Sequence, residues 1–263
     1  MPQDLGQERA VAHVGPGLHE DHVARATLQG SGSPPPKPPE LRERWMDKIA
    51  DLVGGIPAKL PPFREVNHEI KLIDPGKRII YRLPKRPDAL KAELAEKISR
   101  YTSAGWWVPT TARQAVPMLC VLKKSGKLHM VFNLRMQNDN TENDISPFPD
   151  QDTIRHDVAR APYRSDLDMS EAYEQIRIRS EDVLKTTFST IFGTFVSRVM
   201  QQGDCNAPSM FQRLMTAVFC DYITQFVHVY LDNIFIYSSS IEEHEAHLAI
   251  VFNRLHEAQL YLS

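Results

Sequence analysis

Phe226-Val227-His228-Val229-Tyr230-Leu231-Asp232-Asn233-Ile234-Phe235-Ile236-Tyr237 places two apolar, β-branched and aromatic runs on either side of an Asp-Asn pair. Runs of that composition read as strands, and the short polar interruption reads as a two-residue hairpin turn at Asp232-Asn233. Asp and Asn tolerate the left-handed backbone such turns need, so turn chemistry accounts for the pair as well as a functional role does. A second acid breaks pattern upstream: Asp168, in Ser165-Asp166-Leu167-Asp168-Met169, ends a short predicted strand. Two carboxylates on adjacent strand ends can hold hard divalent cations, which favour oxygen ligands.

Working outward, residues 207–219 carry Phe211, Leu214, Met215 and Val218 at helical spacing, and residues 241–260 form a closing amphipathic helix. Residues 152–159 read as a short helix. Residues 116–122 and 128–132 read as strands joined by Lys123-Lys124-Ser125-Gly126-Lys127. A helix capped by Asp88 runs to Ser103, with Leu90, Leu94 and Ile98 on one face, and Ala104-Gly105 ends it. Residues 68–73 read as a strand turned by Asp74-Pro75-Gly76, and residues 40–53 as a weak helix stopped by Gly54-Gly55. Strands and helices mix without a βαβ rhythm, so the expected class is α+β.

The chain has 263 residues, 42% hydrophobic and 24% charged, as in a globular protein. Part of its 19 prolines fall in Gly30-Ser31-Gly32-Ser33-Pro34-Pro35-Pro36-Lys37-Pro38-Pro39, a linker-like run. Residues 1–59 are accordingly expected to be a largely disordered lead with one weak helix, and residues 60–263 the folded domain. No apolar stretch is long enough for a membrane span, and the start lacks a secretory pattern. Three cysteines without C-x-x-C spacing argue against a disulfide framework, so a cytoplasmic or nuclear setting is expected. His244 and His247 stand i, i+3 on the last helix, but no third metal ligand accompanies them.

The formal charge of −2 speaks at first against a nucleic-acid partner. Its distribution does not. Between Lys77 and Arg135 thirteen basic residues face only Asp88, Glu93 and Glu96, a net +10 against about −12 for the remainder. A concentration of that kind is the electrostatic footprint of phosphate binding.

Three segments, in this order and at this spacing, carry a resemblance: Leu167-Asp168-Met169-Ser170-Glu171-Ala172-Tyr173-Glu174-Gln175-Ile176, then Asn206-Ala207-Pro208-Ser209-Met210-Phe211-Gln212-Arg213-Leu214-Met215, then Tyr230-Leu231-Asp232-Asn233. Together they resemble the reverse transcriptases of gypsy-type LTR retrotransposons, from about Leu60 onward. The resemblance implies a right-hand polymerase, with fingers and palm around a small antiparallel sheet and the thumb absent. It implies transfer of dNTPs to a primer on an RNA or DNA template, with two Mg²⁺ ions as cofactors. The module would be part of a retrotransposon polyprotein, with no membrane partner.

By the same resemblance, Asp168, Asp232 and Asn233 occupy the catalytic positions, with Asp168, the Met169 carbonyl and Asp232 toward metal. Tyr173 is the steric gate beneath the sugar. Lys123, Lys124, Arg135, Gln202 and Gly203 fall on the nucleotide side, and Tyr230 and Gln212 toward primer–template.

The departures fall on substrate-facing positions. The second Asp of the hairpin is Asn233, which keeps a carbonyl oxygen but loses a charge. A phosphate-binding Arg is replaced by His129, which cannot make a guanidinium fork. The Pro-Phe-Gly-Leu turn is Gln201-Gln202-Gly203-Asp204, whose acid is expected near the triphosphate. Losing a carboxylate that stabilises transition-state charge costs about 3–4 kcal/mol, or ~10²–10³ in rate. Two readings follow: an impaired polymerase module, or a catalytically dead remnant that binds primer–template through basic fingers.

Overall fold

In a computed structural model, residues 39–78, 90–112, 114–122 and 128–263 are described, and the compact unit to which they belong runs Lys37–Ser263. The Asp88 cap and the Lys123–Lys127 turn, with Lys123 and Lys124, lie outside the described residues.

Helix α1 (Pro39–Lys48) is followed by the single turn α2 (Ala50–Val53), which stops at Gly54 and at Gly55, whose φ is +91°. Ile49, between the two helices, and Leu52 are buried in the larger core, and the Trp45 ring lies 5.3 Å from Phe252, while Met46 stays exposed. Folded structure therefore begins well before Leu60, the boundary expected from the proline-rich composition.

Residues 68–73 do not form the expected ladder strand. They make isolated bridges, His68 with Ile178 and Leu72 with Thr141. The reason is where their backbone groups go: Ile70 N donates to the Asp182 carboxylate at 2.9 Å and Ile73 N to Asn140 O at 2.8 Å. The Asp74 turn does form, with Gly76 N donating to Asp74 Oδ1 at 2.8 Å.

Helix α3 (Lys91–Ser103) buries Leu94, Ile98 and Tyr101 and ends at Gly105, at φ +73°. It packs on β1 (Trp107–Pro109), which joins a five-stranded sheet with β2 (Val116–Leu122), β3 (Leu128–Phe132), β5 (Phe188–Thr190) and β6 (Gly193–Ser197), in the order β1-β6-β5-β2-β3. Only β2 and β5 run parallel. An aromatic core fills this part, with Trp107 edge-on to Phe188 at 4.8 Å and Phe132 edge-on to Phe188 at 4.9 Å.

Between these strands come the short α4 (Arg135–Asn138), α5 (Gln151–Arg160), whose cap is Asp150, and β4 (Tyr163–Asp168). After β6 follow α6 (Ala207–Phe219), the hairpin β7 (Val227–Tyr230) and β8 (Asn233–Ser238), and α7 (Ile241–Ala258). Helix α7 stops two residues earlier than expected because Gln259 takes a left-handed conformation at φ +50°. Strands β4, β8 and β7 form a three-stranded antiparallel sheet in that order. One face lays Leu167, Ile234, Ile236, Val227 and Val229 into the core shared with α6 and α7. The other aligns Asp168, Asn233 and Tyr230. The class is α+β, as expected.

The hairpin turn is shifted by one residue from the expectation. Tyr230 pairs with Asn233, so the turn residues are Leu231, at φ +53°, and Asp232. Burial of Ile234 and Ile236 fixes the β8 register, and a one-residue slip would turn both to the opposite face.

Candidate active site

Asp168 is the last residue of β4, exposed, and cross-strand from Asn233. Asp232, also exposed, is tied to the same place by its carbonyl, which accepts from Met169 N at 2.9 Å. The two carboxylates thus share one end of the three-stranded sheet. Ser263 holds the first of them: its N donates to Asp168 O at 2.9 Å and its Oγ to Asp168 Oδ2 at 2.9 Å. Asn233 Nδ2 points to Asp232 Oδ1 at 3.4 Å, so the amide donates toward the carboxylate where an acid would repel it. The Met169 side chain is buried beneath. Tyr230 is half-buried; its hydroxyl meets Gln151 Nε2 and its ring lies 6.3 Å from Phe148.

Tyr173 stands on the 3₁₀ turn Ala172–Gln175, its ring edge-on to Phe211 at 6.1 Å. Burial and then the Asp232 charge push its hydroxyl pKa up, which places the phenol in the field of the hairpin carboxylate. Gln175 locks this turn to the C-terminal segment: Nε2 donates to Tyr261 O at 2.9 Å, and Tyr261 N donates to Oε1 at 2.8 Å. Across the turn, Arg100 of α3 donates to Glu171 Oε1 at 3.1 Å.

Gln202 and Gly203 are exposed on a turn where Gly203 takes φ +100°. A Cβ there would stand 3.4 Å from Phe132 O, so glycine suits both the conformation and the space. Asn138 of α4 pins the turn, donating to Gly203 O at 2.9 Å and accepting from Cys205 N at 3.2 Å. Arg135 is exposed at the start of the same helix. Among the described residues, α4 therefore connects Arg135 to the Gln202-Gly203 turn.

Two residues stand elsewhere than expected. Asp204 faces inward, only 6% exposed, with Oδ2 at 3.3 Å from His68 Nε2. A backbone donor holds the carboxylate inward: its Oδ1 accepts from Asn206 N at 2.8 Å. Gln212 is 2% exposed rather than open to primer–template. Its Nε2 donates to Val229 O at 3.1 Å and its Oε1 accepts from Leu231 N at 3.0 Å, so it holds the hairpin turn from below. His129 lies on β3 opposite Val121. His244 and His247 are engaged with Ser238 Oγ at 2.9 and 2.8 Å, and among the described residues no three His, Cys, Asp or Glu come together as a metal cluster. Nothing in the local sequence marks His68, Asn138 or Ser263 for the roles they take; each acts on a segment far away in sequence.

The model of the family "Reverse transcriptase (RNA-dependent DNA polymerase)" matches residues 121–263. The chain belongs to the reverse transcriptase family. Among its relatives, the retrovirus-related Pol polyprotein from transposon 297 of Drosophila melanogaster is 31% identical over 169 residues, 64% of this chain and 15% of the relative. The transposon Tf2-7 polyprotein of Schizosaccharomyces pombe is 28% identical over 229 residues, 87% of this chain and 17% of the relative. The chain thus spans about a sixth of these polyproteins. Among solved structures, the prototype foamy virus protease-reverse transcriptase CSH mutant is similar with a TM-score of 0.74 at 19% identity, over 85% of this chain and 30% of that one. The foamy viral enzyme in complex with an RNA/DNA hybrid gives 0.73 at 19% identity, with the same coverage. These likenesses show a fold like the palm and fingers of reverse transcriptases; α3 with the five-stranded sheet is here termed the fingers, and the three-stranded sheet with α6 and α7 the palm.

Proposed function

We propose that this chain is the fingers and palm of a gypsy-type retrotransposon reverse transcriptase. In this reading it adds dNTPs to a primer 3′-hydroxyl on an RNA or DNA template, at a reduced rate, as a segment of a longer polyprotein. The observation that carries the reading is the register of Asp168 against Asn233, together with the Met169 N to Asp232 O bond. These bring two carboxylates from distant segments to one exposed strand end.

Two acids and a neutral amide suit hard divalent ions, with less charge than three acids would offer. Asp168 and Asp232 would hold Mg²⁺, with the Met169 carbonyl beside them. When bound, the ions supply Lewis-acid activation of the primer hydroxyl and neutralise charge on the leaving oxygen. Tyr173, fixed against Phe211, walls off the space beneath the sugar and excludes a 2′-hydroxyl. Gln202 and Gly203 flank the nucleotide, while Arg135, Lys123 and Lys124 offset triphosphate charge. Tyr230 meets the primer end, whereas Gln212 supports the hairpin. The duplex binds along the basic fingers. Among the described residues no helix is long and apolar enough to cross a membrane.

Primer extension with Mg²⁺ tests this. Asp168→Ala abolishes incorporation, and Asn233→Asp raises it by ~10²–10³. Equal extension by the native chain and Asp168→Ala would remove the assignment. If neither the native chain nor Asn233→Asp extends a primer, the reading as a polymerase fails.

A further inference from the structure

The Gln201–Asp204 turn combines an exposed half with a buried half. Gln202 and Gly203 face outward, while Asp204 is turned under them. Its Oδ1 accepts from Asn206 N at 2.8 Å, and its Oδ2 faces His68 Nε2 at 3.3 Å. His68 is 1% exposed, and among the described residues it is the one ion-pair partner of Asp204. Among the described residues neither imidazole nitrogen has a partner in hydrogen-bond geometry, and Nε2 lies 3.3 Å from the Asp204 carboxylate. The His68 backbone is held by Arg177 O at 2.8 Å and Arg179 N at 2.9 Å, so the imidazole is presented from a fixed strap. Asn206, next in the knot, donates to Glu142 O at 2.8 Å and accepts from Asp144 N at 2.9 Å.

We propose that His68 is a positioning residue for the nucleotide-facing turn, drawing the Asp204 carboxylate inward. This sets the shape of Gln202-Gly203 and keeps a negative charge away from an incoming triphosphate. The proposal rests on the nucleotide-binding reading above. Its physical basis is that a carboxylate released toward a triphosphate adds like-charge repulsion, whereas one beside a buried imidazole does not. Removing the polar neighbour of a buried carboxylate leaves that carboxylate less compensated, while replacing both groups by apolar ones is often neutral. The two effects make the single and double variants behave differently.

The test uses the 263-residue chain and its variants His68→Leu, Asp204→Leu and the pair of both. Two readouts are taken: amide hydrogen exchange across residues 201–206, and binding of a fluorescent dNTP with Mg²⁺. His68→Leu speeds exchange in this segment at least tenfold and weakens nucleotide binding at least tenfold. Adding Asp204→Leu to it restores binding to within about threefold of the native chain. A general packing defect would not be rescued by removing the carboxylate. Unchanged exchange in His68→Leu overturns the proposal, as does tight nucleotide binding by that variant or a double variant no better than the single one. Should His68→Leu fail to fold, His68→Phe, which keeps a flat ring and removes both nitrogens, takes its place: exchange across residues 201–206 at least tenfold faster supports the pair, and native exchange overturns it. If the native chain binds no dNTP, the nucleotide reading fails by itself, and exchange alone judges whether His68 holds the turn.

Discussion

Glu174 follows Tyr173 on the 3₁₀ turn, and burial, reinforced by the charge of Glu171, pushes its carboxyl up to about 8. An acid whose pKa rises on folding favours the folded state most when it is neutral in both states, below the unfolded value near 4.5. The contribution is then lost as pH rises through about 8. Glu174→Gln removes that loss. Native unfolding free energy should fall relative to the variant between pH 4.5 and 8, by roughly 1–3 kcal/mol in total. Urea melts across that range check it, and parallel curves would mean that Glu174 is not buried as described. At this scale the sequence is readable where a residue violates its local pattern. Asp168 and Asp232 stand out because apolar strands should exclude them. Asp204 also stood out, yet its destination depended on His68, a residue far away with no mark of its own.

The palm hairpin shows what an element needs beyond its own pattern. Its two strands are evident from composition, but the turn position is not, because Asp-Asn is the better turn pair by local chemistry. Instead Leu231 takes the left-handed position, a conformation that costs a branched side chain roughly 1–2 kcal/mol. Gln212, itself buried, offsets that cost by accepting from Leu231 N and donating to Val229 O. Gln212→Leu keeps the volume and strands both backbone groups, so it should destabilise the chain by about 1–3 kcal/mol. A thermal midpoint lowered by only a fraction of a degree would rule out the clamp. The same logic explains which elements were legible. Helices α6 and α7 and strands β2 and β3 carry their own periodicity. Strands β1, β5 and β6 span three to five residues and are recognised only through partners, as when β5 pairs with β2 and β6.

At the scale of the whole molecule, the fingers and palm each close their own core, and α1 and α2 belong to the second. The expectation that folded structure starts at Leu60 followed the prolines, which report the stiffness of the chain and not what its flanking side chains touch. Ile49 and Leu52 lie in the palm core, and Leu52 O accepts from Leu262 N at 2.9 Å. Leu262 bridges Met169, and Ser263 bonds Asp168. The upstream helices thus brace the segment that braces the first carboxylate. A chain beginning at Leu60 loses the burial of Ile49 and Leu52, worth about 1.5–3 kcal/mol each, and the contact of Trp45 with Phe252. It should unfold at least 3 kcal/mol more easily than a chain beginning at Lys37, with a thermal midpoint lower by several degrees. Hydrogen exchange should also quicken at Met169 and Leu262, while the fingers helix α3 keeps its native protection. Equal stability of the two chains would place the palm boundary at Leu60 after all, and loss of protection across α3 as well would show that the two cores unfold as one.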